Sequence, residues 1–301
     1  MHWSGKFAAT VGAIGLAGLT YSAGYEVRSF RLRQVDVPCL PRHSEPVKLL
    51  HLSDLHLTPT QHKKKRWLAD LAQLEPDLVV NTGDNLGHHS SVAPLMEALA
   101  GLTHVPGVFV LGSNDYWGPV MKSPARYLLP EGTGKHLHGP ALPWRQLRDG
   151  FTDVGWLDLT NRVGSLSVRG IEISFVGVDD PHLGYDRLEA VSGPADATAD
   201  LRLGVAHAPY LRVLDAFTGD GYDVIFAGHT HGGQLRIPGY GALVTNCDLD
   251  PARSRGLHRH TSAGRTAWTH ISAGLGTSPY APYRFCSYPE ASLVTLTPRR
   301  S

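Results

Sequence analysis

Cysteine is scarce: Cys39, Cys247 and Cys286 are the only three in 301 residues, and no two of them stand in a CxxC spacing. An odd count without that spacing excludes a disulfide framework or a cysteine zinc knuckle as the organising device, although one pair could still form. Net charge is nearly absent too. The 28 Lys and Arg residues offset 27 Asp and Glu, leaving +1, so no nucleic-acid partner is expected to be recruited by overall basicity. Long apolar runs are missing except at residues 7–25, which hold no charged side chain and are rich in Ala, Gly and Leu. That length is at the lower edge of a bilayer-spanning helix. It predicts a membrane anchor within an N-terminal segment 1–33. A cleaved signal peptide, leading to secretion, is the alternative, with Lys6 as a thin basic region and Tyr21-Ser22-Ala23 as small residues near a cleavage point. Arg28, Arg31 and Arg33 after the run outnumber Lys6 before it, which favours a cytoplasmic side for the chain beyond residue 33.

Residues 34–46 read as a linker punctuated by Pro38, Pro41 and Pro46. From residue 47 short apolar runs alternate with amphipathic segments. Strands are expected at 47–52, 77–81, 107–111, 201–205, 224–227, 242–245, 267–272 and 292–296, with strand-like alternation over 157–178. Helices are expected at 61–74, 92–102 and 209–217. The run Lys63-Lys64-Lys65-Arg66 reads as a solvated helix face, with contact to anionic lipid or substrate as the other reading. Residues 116–150 are rich in Pro, Gly and basic side chains without a sustained period, and read as an irregular excursion. Strands outnumber helices in the second half, so a mixed α/β fold over 47–298 is expected.

Histidine is abundant, and some of it recurs where ligands belong. Asp54 and His56 follow the 47–52 run, Asp84 follows 77–81, Asn114 and Asp115 follow 107–111, His207 follows 201–205, and His229 and His231 follow 224–227. In α/β sheets, sites form beyond the carboxyl ends of the strands. In extended backbone, residues i and i+2 point to one side, so Asp54 with His56, and His229 with His231, are each expected to reach a common point. Gly83, Gly112 and Gly228 remove side chains where the backbone must turn or approach closely. Mixed carboxylate and imidazole donors suit Mn²⁺, Fe²⁺, Zn²⁺ or Co²⁺ better than Ca²⁺. Asp179-Asp180 before Pro181 reads as a turn, and His136 and His138 as surface residues of the excursion.

Together the Asp-x-His, Gly-Asp, strand-end His and Gly-His-x-His elements, in this order, resemble the calcineurin-like metallophosphoesterase superfamily. The form Gly228-His229-Thr230-His231-Gly232-Gly233-Gln234, with Arg284 and Pro289-Glu290 later, looks like its membrane-associated bacterial branch. The resemblance implies a four-layer αββα sandwich of two mixed β-sheets flanked by helices, preceded here by an N-terminal hydrophobic helix. It implies two divalent metal ions, Mn, Zn or Fe. Asp54, His56 and His231 would hold one, His207 and His229 the other, and Asp84 would bridge them, so that a shared water is activated for attack on phosphorus. The sequence departs from the family pattern at one element. Where the family usually has Gly-Asn-His-Asp, this chain has Gly112-Ser113-Asn114-Asp115. A gapless match puts Ser113 at the ligand position; a shifted loop puts Asn114 there, which is the reading favoured. Either way the usual histidine acid is gone, and His88 or His89 is the expected replacement unless the leaving group needs no proton. The expected activity is a metal-dependent phosphohydrolase acting on a phosphorylated small molecule or lipid-linked phosphate. In the excursion, Lys122, Arg126, Lys135, Arg145 and Arg148 are available for a polyanionic headgroup. A soluble nucleotide phosphodiesterase and a metal-binding scaffold with impaired catalysis are the alternatives.

Overall fold

Leu78, Val79 and Val80 are apolar on both faces, which a strand tolerates where packing covers it from both sides. The computed structural model, which describes residues 15–121 and 138–299, places them inside a six-stranded sheet. In chain order the strands are β1 (Arg31–Leu40), β2 (Val47–Leu52), β3 (Leu78–Asn81), β4 (Gly107–Phe109), β5 (Leu157–Asp158), β6 (Arg162–Val168) and β7 (Ile171–Gly177). They continue as β8 (Leu201–Val205), β9 (Val224–Ala227), β10 (Arg236–Ile237), β11 (Gly241–Ala242), β12 (Gly256–Ser262), β13 (Arg265–Ile271) and β14 (Glu290–Pro298). One sheet runs β1-β14-β2-β3-β4-β5 and the other β12-β13-β9-β8-β7-β6, while β10 and β11 form a separate hairpin. Both large sheets are mixed. β14 is parallel to β1 and antiparallel to β2, and β12 and β6 run against their neighbours in the second sheet.

Alternation along each strand decides what its two faces meet. Leu49, Val80, Val108 and Val110 of the first sheet pack on Phe175, Leu203, Val205 and Phe226 of the second. Their neighbours Leu50, Leu52, Val79 and Phe109 face the other way, onto Leu68, Leu95, Leu99, Leu147 and Phe151 of the helices His62–Asp70, Val92–Leu99 and Trp144–Asp153. Behind the second sheet, Val176, Ile225 and Ala227 pack on Val213, Leu214 and Phe217 of the helix Leu211–Asp220. Each such side chain contributes roughly 1.5–3 kcal/mol on burial. Three stacked cores separate four layers: helices, sheet, sheet, helix.

Several sequence expectations need correction. Residues 34–40, read as linker, belong to β1, which runs parallel to β14 along the sheet edge; Pro38 is tolerated there because an edge strand leaves one side of its backbone unpaired. The strand β12 was not expected, because its sequence is mostly polar and half exposed. The irregular excursion 116–150 ends in the amphipathic helix Trp144–Asp153, which buries Leu147 and Phe151. Of the expected strand 242–245 only Ala242 pairs, in the short hairpin. Among the described residues no helix is long and apolar enough to cross a membrane. Residues 7–14 of the apolar run lie outside the described residues, as do Lys122, Arg126, Lys135 and His136. From residue 15 the chain is helical and packs on the loop before β14. The Tyr21 and Tyr288 hydroxyls lie 2.9 Å apart, and the Glu26 carboxylate accepts from the amides of Cys286 and Ser287.

The basic run 63–66 is not a uniformly solvated face. Lys64 is buried and donates to the Leu55 carbonyl at 2.7 Å. Burial, helped by the Arg284 charge, lowers its pKa from 10.5 to about 7. Between those two values the unfolded chain holds a proton that the folded chain has released, so stability rises with pH across that window and gains no slope from Lys64 below it. Lys64→Met is expected to flatten the rise of the urea midpoint through this range. An unchanged slope in the variant would show that the buried amine does not titrate as described.

Candidate metal centre

The parallel strands β2, β3 and β4 of one sheet and β8 and β9 of the other end at the same place, and each end delivers a polar side chain. The turns are tight. Asp54, His56, Asp84, His229 and His231 all have positive φ, at 50°, 40°, 55°, 67° and 49°. This corrects the expectation of extended backbone: left-handed residues after β2, β3 and β9, not i and i+2 alternation, place Asp54 with His56 and His229 with His231. Such conformations are uncommon for non-glycine residues and persist where surrounding structure enforces them. Here the loops enforce one another. The Asp54 and His56 amides donate to the Gly83 and Asp84 carbonyls, each at 2.9 Å, and the His229 amide donates to the Asp54 carboxylate at 3.0 Å. Gly112 is required for space, since a Cβ there would collide with the Asp84 carboxylate and lie 2.7 Å from His207 Cε1.

Asp54, His56, Asp84 and His231 are buried and bring ligand atoms within 4.8 Å of one another. The two oxygens of Asp84 face opposite ways: Oδ2 lies 3.4 Å from His56 Nε2, and Oδ1 lies 3.4 Å from His207 Nε2. Asn114 fixes that carboxylate with its backbone amide on Oδ1 at 2.7 Å and its side-chain amide on Oδ2 at 2.8 Å. Backbone carbonyls orient the imidazoles. His207 Nδ1 meets the Thr82 carbonyl at 2.7 Å, His231 Nδ1 meets the Gly276 carbonyl at 3.0 Å, and His229 Nε2 meets the Asn246 carbonyl at 3.0 Å. A nitrogen facing a carbonyl carries the proton, so the other ring nitrogen keeps its lone pair. For His207 that nitrogen, Nε2, is buried and has no hydrogen-bond partner. His56 Nε2 and His231 Nε2 stand 3.3 Å apart. Lone pairs converging on buried carboxylate oxygens fit a pair of divalent cations.

The electrostatics agree. Burial lowers His56 to about 4, and burial with neighbouring histidines lowers His229 and His231 well below their ordinary value, so these rings are neutral, the form that binds metal. Burial also pushes Asp54 up to about 6 and Asp115 up to about 7, in both cases helped by the Asp84 charge. Burial would lower His207, but the carboxylates of Asp84, Asp180 and Asp54 outweigh it and raise this group to about 9. A pocket so rich in carboxylates holds protons that cations would displace.

Of the residues singled out in the sequence, Asp54, His56, Asp84, Asn114, His207, His229 and His231 gather here. His88 and His89 are exposed, with tilted rings whose centroids lie 4.1 Å apart; His88 Nδ1 accepts from the Ser90 amide. His138 lies against Trp117 with tilted rings, and Arg145 and Arg148 lie over Trp144. Asp115, named only as part of the third element, is buried and accepts the amides of Asp84, Asn85, Leu86 and Gly112, which shapes both loops. Three residues escaped the sequence reading. Asp180, taken for a turn residue, is buried and accepts from the Ser113 hydroxyl. His182 lies with its ring centroid 4.5 Å from that of His229 and its Nδ1 3.0 Å from the Tyr210 hydroxyl. Arg284, noted only as part of a motif, is wholly buried behind His231. A carboxylate at a strand end was the signal for Asp180, masked by the proline beside it.

The sequence profile of the calcineurin-like phosphoesterase family matches residues 47–233. An uncharacterized metallophosphoesterase of Bacillus subtilis (strain 168), YkuE, is 25% identical over 307 residues, covering 95% of this chain and 94% of its own. The UDP-2,3-diacylglucosamine pyrophosphatase LpxG of Chlamydia trachomatis serovar D is 27% identical over 294 residues, 84% of each chain. A 5'-nucleotidase precursor of Thermus thermophilus aligns in structure with a TM-score of 0.45 and 14% identity, over 83% of this chain and 55% of that one. The chain thus spans about half the length of that nucleotidase.

Proposed function

Because the chain belongs to the calcineurin-like phosphoesterase family and is a metal-dependent phosphoester hydrolase, we propose that it acts with two divalent cations on a lipid-linked phosphate or pyrophosphate. Two such ions would lower the pKa of a shared water and offset the charge on the phosphoryl oxygens. Asp54, His56 and His231 would hold one cation in this reading and His207 and His229 the other, with Asp84 shared between them. Manganese, zinc or iron suits these donors. Asn114 keeps the Asp84 carboxylate in place but cannot supply a proton as an imidazolium would. An anhydride, whose leaving group is itself a stable phosphate anion, makes the least demand on the missing acid.

One observation carries the choice of a lipid-linked substrate: large apolar side chains stand exposed on the segments around His231. The hairpin that follows Gly233 exposes Ile237, Tyr240 and Leu243, and Tyr280 is exposed just beyond Gly276, whose carbonyl holds His231. Leu16, Leu19 and Tyr25 are exposed on the N-terminal helical segment, which packs on the same 281–288 loop through Tyr21 and Phe285. Exposed apolar groups gathered at a site suit a partly apolar substrate. The diacylated pyrophosphate named for LpxG is of this chemical kind.

The test uses the full chain, because β1 begins at Arg31 and a shorter version would fray the sheet. Metal-stripped protein receives Mn²⁺, Zn²⁺ or Mg²⁺ and is offered an aryl phosphate monoester, an aryl diester, a soluble nucleotide pyrophosphate, and a lipid pyrophosphate in mixed micelles. Metal-dependent turnover, lost in His231→Ala and highest on the lipid pyrophosphate, is the expected result. Preference for the soluble nucleotide would overturn the lipid assignment. Bound metal without turnover on any of the four would leave a metal-binding scaffold.

A further inference from the structure

In the gapless match Ser113 stands where the family pattern has an asparagine, and its hydroxyl donates a short hydrogen bond to Asp180 Oδ2, while Asn114 spends its backbone and side-chain amides on Asp84. Asp180 follows β7, in the second sheet beside β8, the strand that delivers His207. It is completely buried, and its other oxygen accepts the His182 amide at 2.9 Å. No Lys or Arg among the described residues forms an ion pair with it. An ionised carboxylate buried without a cation costs several kcal/mol, and beyond one hydroxyl and one amide the only positive charge acting on Asp180 in the metal-free protein is that of His207, which Asp180 helps to keep protonated. His207 and Asp84 are both close enough to act on Asp180 electrostatically. On this same side of Asp84, His207 Nε2 is buried, 3.4 Å from Oδ1 and without a hydrogen-bond partner. A buried imidazole nitrogen without a hydrogen-bond partner and a buried carboxylate thus act on one another beside the bridging residue, where a cation could replace the imidazole's proton.

We propose that Asp180, oriented by Ser113, is a ligand of the second metal and takes the place of the asparagine amide that the gapless match leaves out at position 113. The inference rests on the two-metal reading above. A serine hydroxyl is shorter than an asparagine side chain and a poorer donor to a divalent ion. By binding Asp180 it turns the deficit at position 113 into a contact that aims an anionic oxygen. The exchange of a neutral amide for a carboxylate also changes the site's charge. With Asp54, Asp84 and Asp180 ionised, two divalent cations would carry a net charge of about +1 rather than about +2, and the second ion would be held more tightly and polarise its ligands less.

Equilibrium binding of Mn²⁺ to the metal-stripped full chain, followed by calorimetry and by the exchange-coupled electron paramagnetic resonance signal of a manganese pair, tests this without reference to turnover. The wild type is expected to bind two ions and give the coupled signal. Asp180→Ala is expected to keep the first ion at unchanged affinity, to lose at least about 100-fold in affinity for the second, and to lose the coupled signal; removal of an outer-shell partner alone costs about 10–100-fold. Asp180→Asn, which preserves shape and an oxygen donor, is expected to fall between. Adding Ser113→Asn to Asp180→Ala restores the second ion if position 113 regains the family's ligand. Unchanged thermal melting of the metal-free variants guards against a folding defect. Two ions bound by Asp180→Ala at wild-type affinity would overturn the assignment while leaving the two-metal reading intact. A wild type that binds only one ion would overturn both.

Discussion

Asp84→Asn is expected to lower kcat/KM by on the order of 10³-fold or more, because Lewis-acid stabilisation by the metals is worth several kcal/mol and each 1.4 kcal/mol is tenfold in rate. The substitution is nearly isosteric, so its effect is chemical. Both Asp84 oxygens already accept a hydrogen bond from Asn114 and face His56 on one side and His207 on the other. An amide can offer an oxygen to only one side. On the other its NH₂ would confront either an Asn114 donor or the lone pair of an imidazole, and no charge would remain to offset two cations. Metal content measured after gel filtration should fall from two ions per chain to one or none, in step with the rate. A variant that keeps both ions and more than a tenth of the activity would remove Asp84 as the bridge.

Arg284→Leu is expected to cost about 3–5 kcal/mol of folding stability, since each buried carbonyl left without its donor costs about 1–3 kcal/mol. The guanidinium Nη2 donates to the carbonyls of Ala273, Gly274 and Gly276 at 2.8, 3.1 and 2.6 Å, and Nη1 donates to that of Ser287 at 3.1 Å. Burial lowers its pKa to about 10, against the pull of Asp54, Glu290 and Glu26, so it stays charged at neutral pH. Leucine of similar bulk would fill the space and leave those carbonyls without donors. Gly276 also holds His231 Nδ1, so the loss should reach the metal centre as weaker ion binding. Arg284→Lys is expected to rescue little, since three donors from one point cannot reproduce a planar fork. Urea unfolding measures the cost. A loss below about 1 kcal/mol would mean that water substitutes for the arginine, against the ordinary penalty for an orphaned buried group.

How much of the molecule could be read in the sequence depended on how local each signal was. Central strands such as β3, β8 and β9 are covered on both faces, so their apolar runs stood out and their boundaries were nearly right. β1 and β12 sit at sheet edges, where half of each strand faces solvent and composition relaxes toward that of a loop. The ligand types at strand ends were legible because α/β topology fixes where such ends converge. Their left-handed backbone was not, since the several-fold preference of Asp and His for positive φ is too weak to single out particular positions. Least legible were the pairings at long range. Ser113 and Asp180 are 67 residues apart, and only the folded sheets bring β4 and β7 to one rim. Arg284 likewise gains its meaning from the carbonyls that close around it.

The position of β14 between β1 and β2 has a consequence for how the molecule comes into being. A ribosome delivers β1 and β2 early, yet the strand that joins them is the last of those described to leave it. Until Glu290–Pro298 emerges, β1 has no neighbour in the sheet and β2 presents a bare, apolar flank. While the residues between β2 and β14 are being made, the chain therefore carries an open seam of the kind that recruits other strands. Closure waits on Glu290–Pro298, and a polypeptide released before that strand would hold every proposed metal ligand and still lack a sealed first sheet.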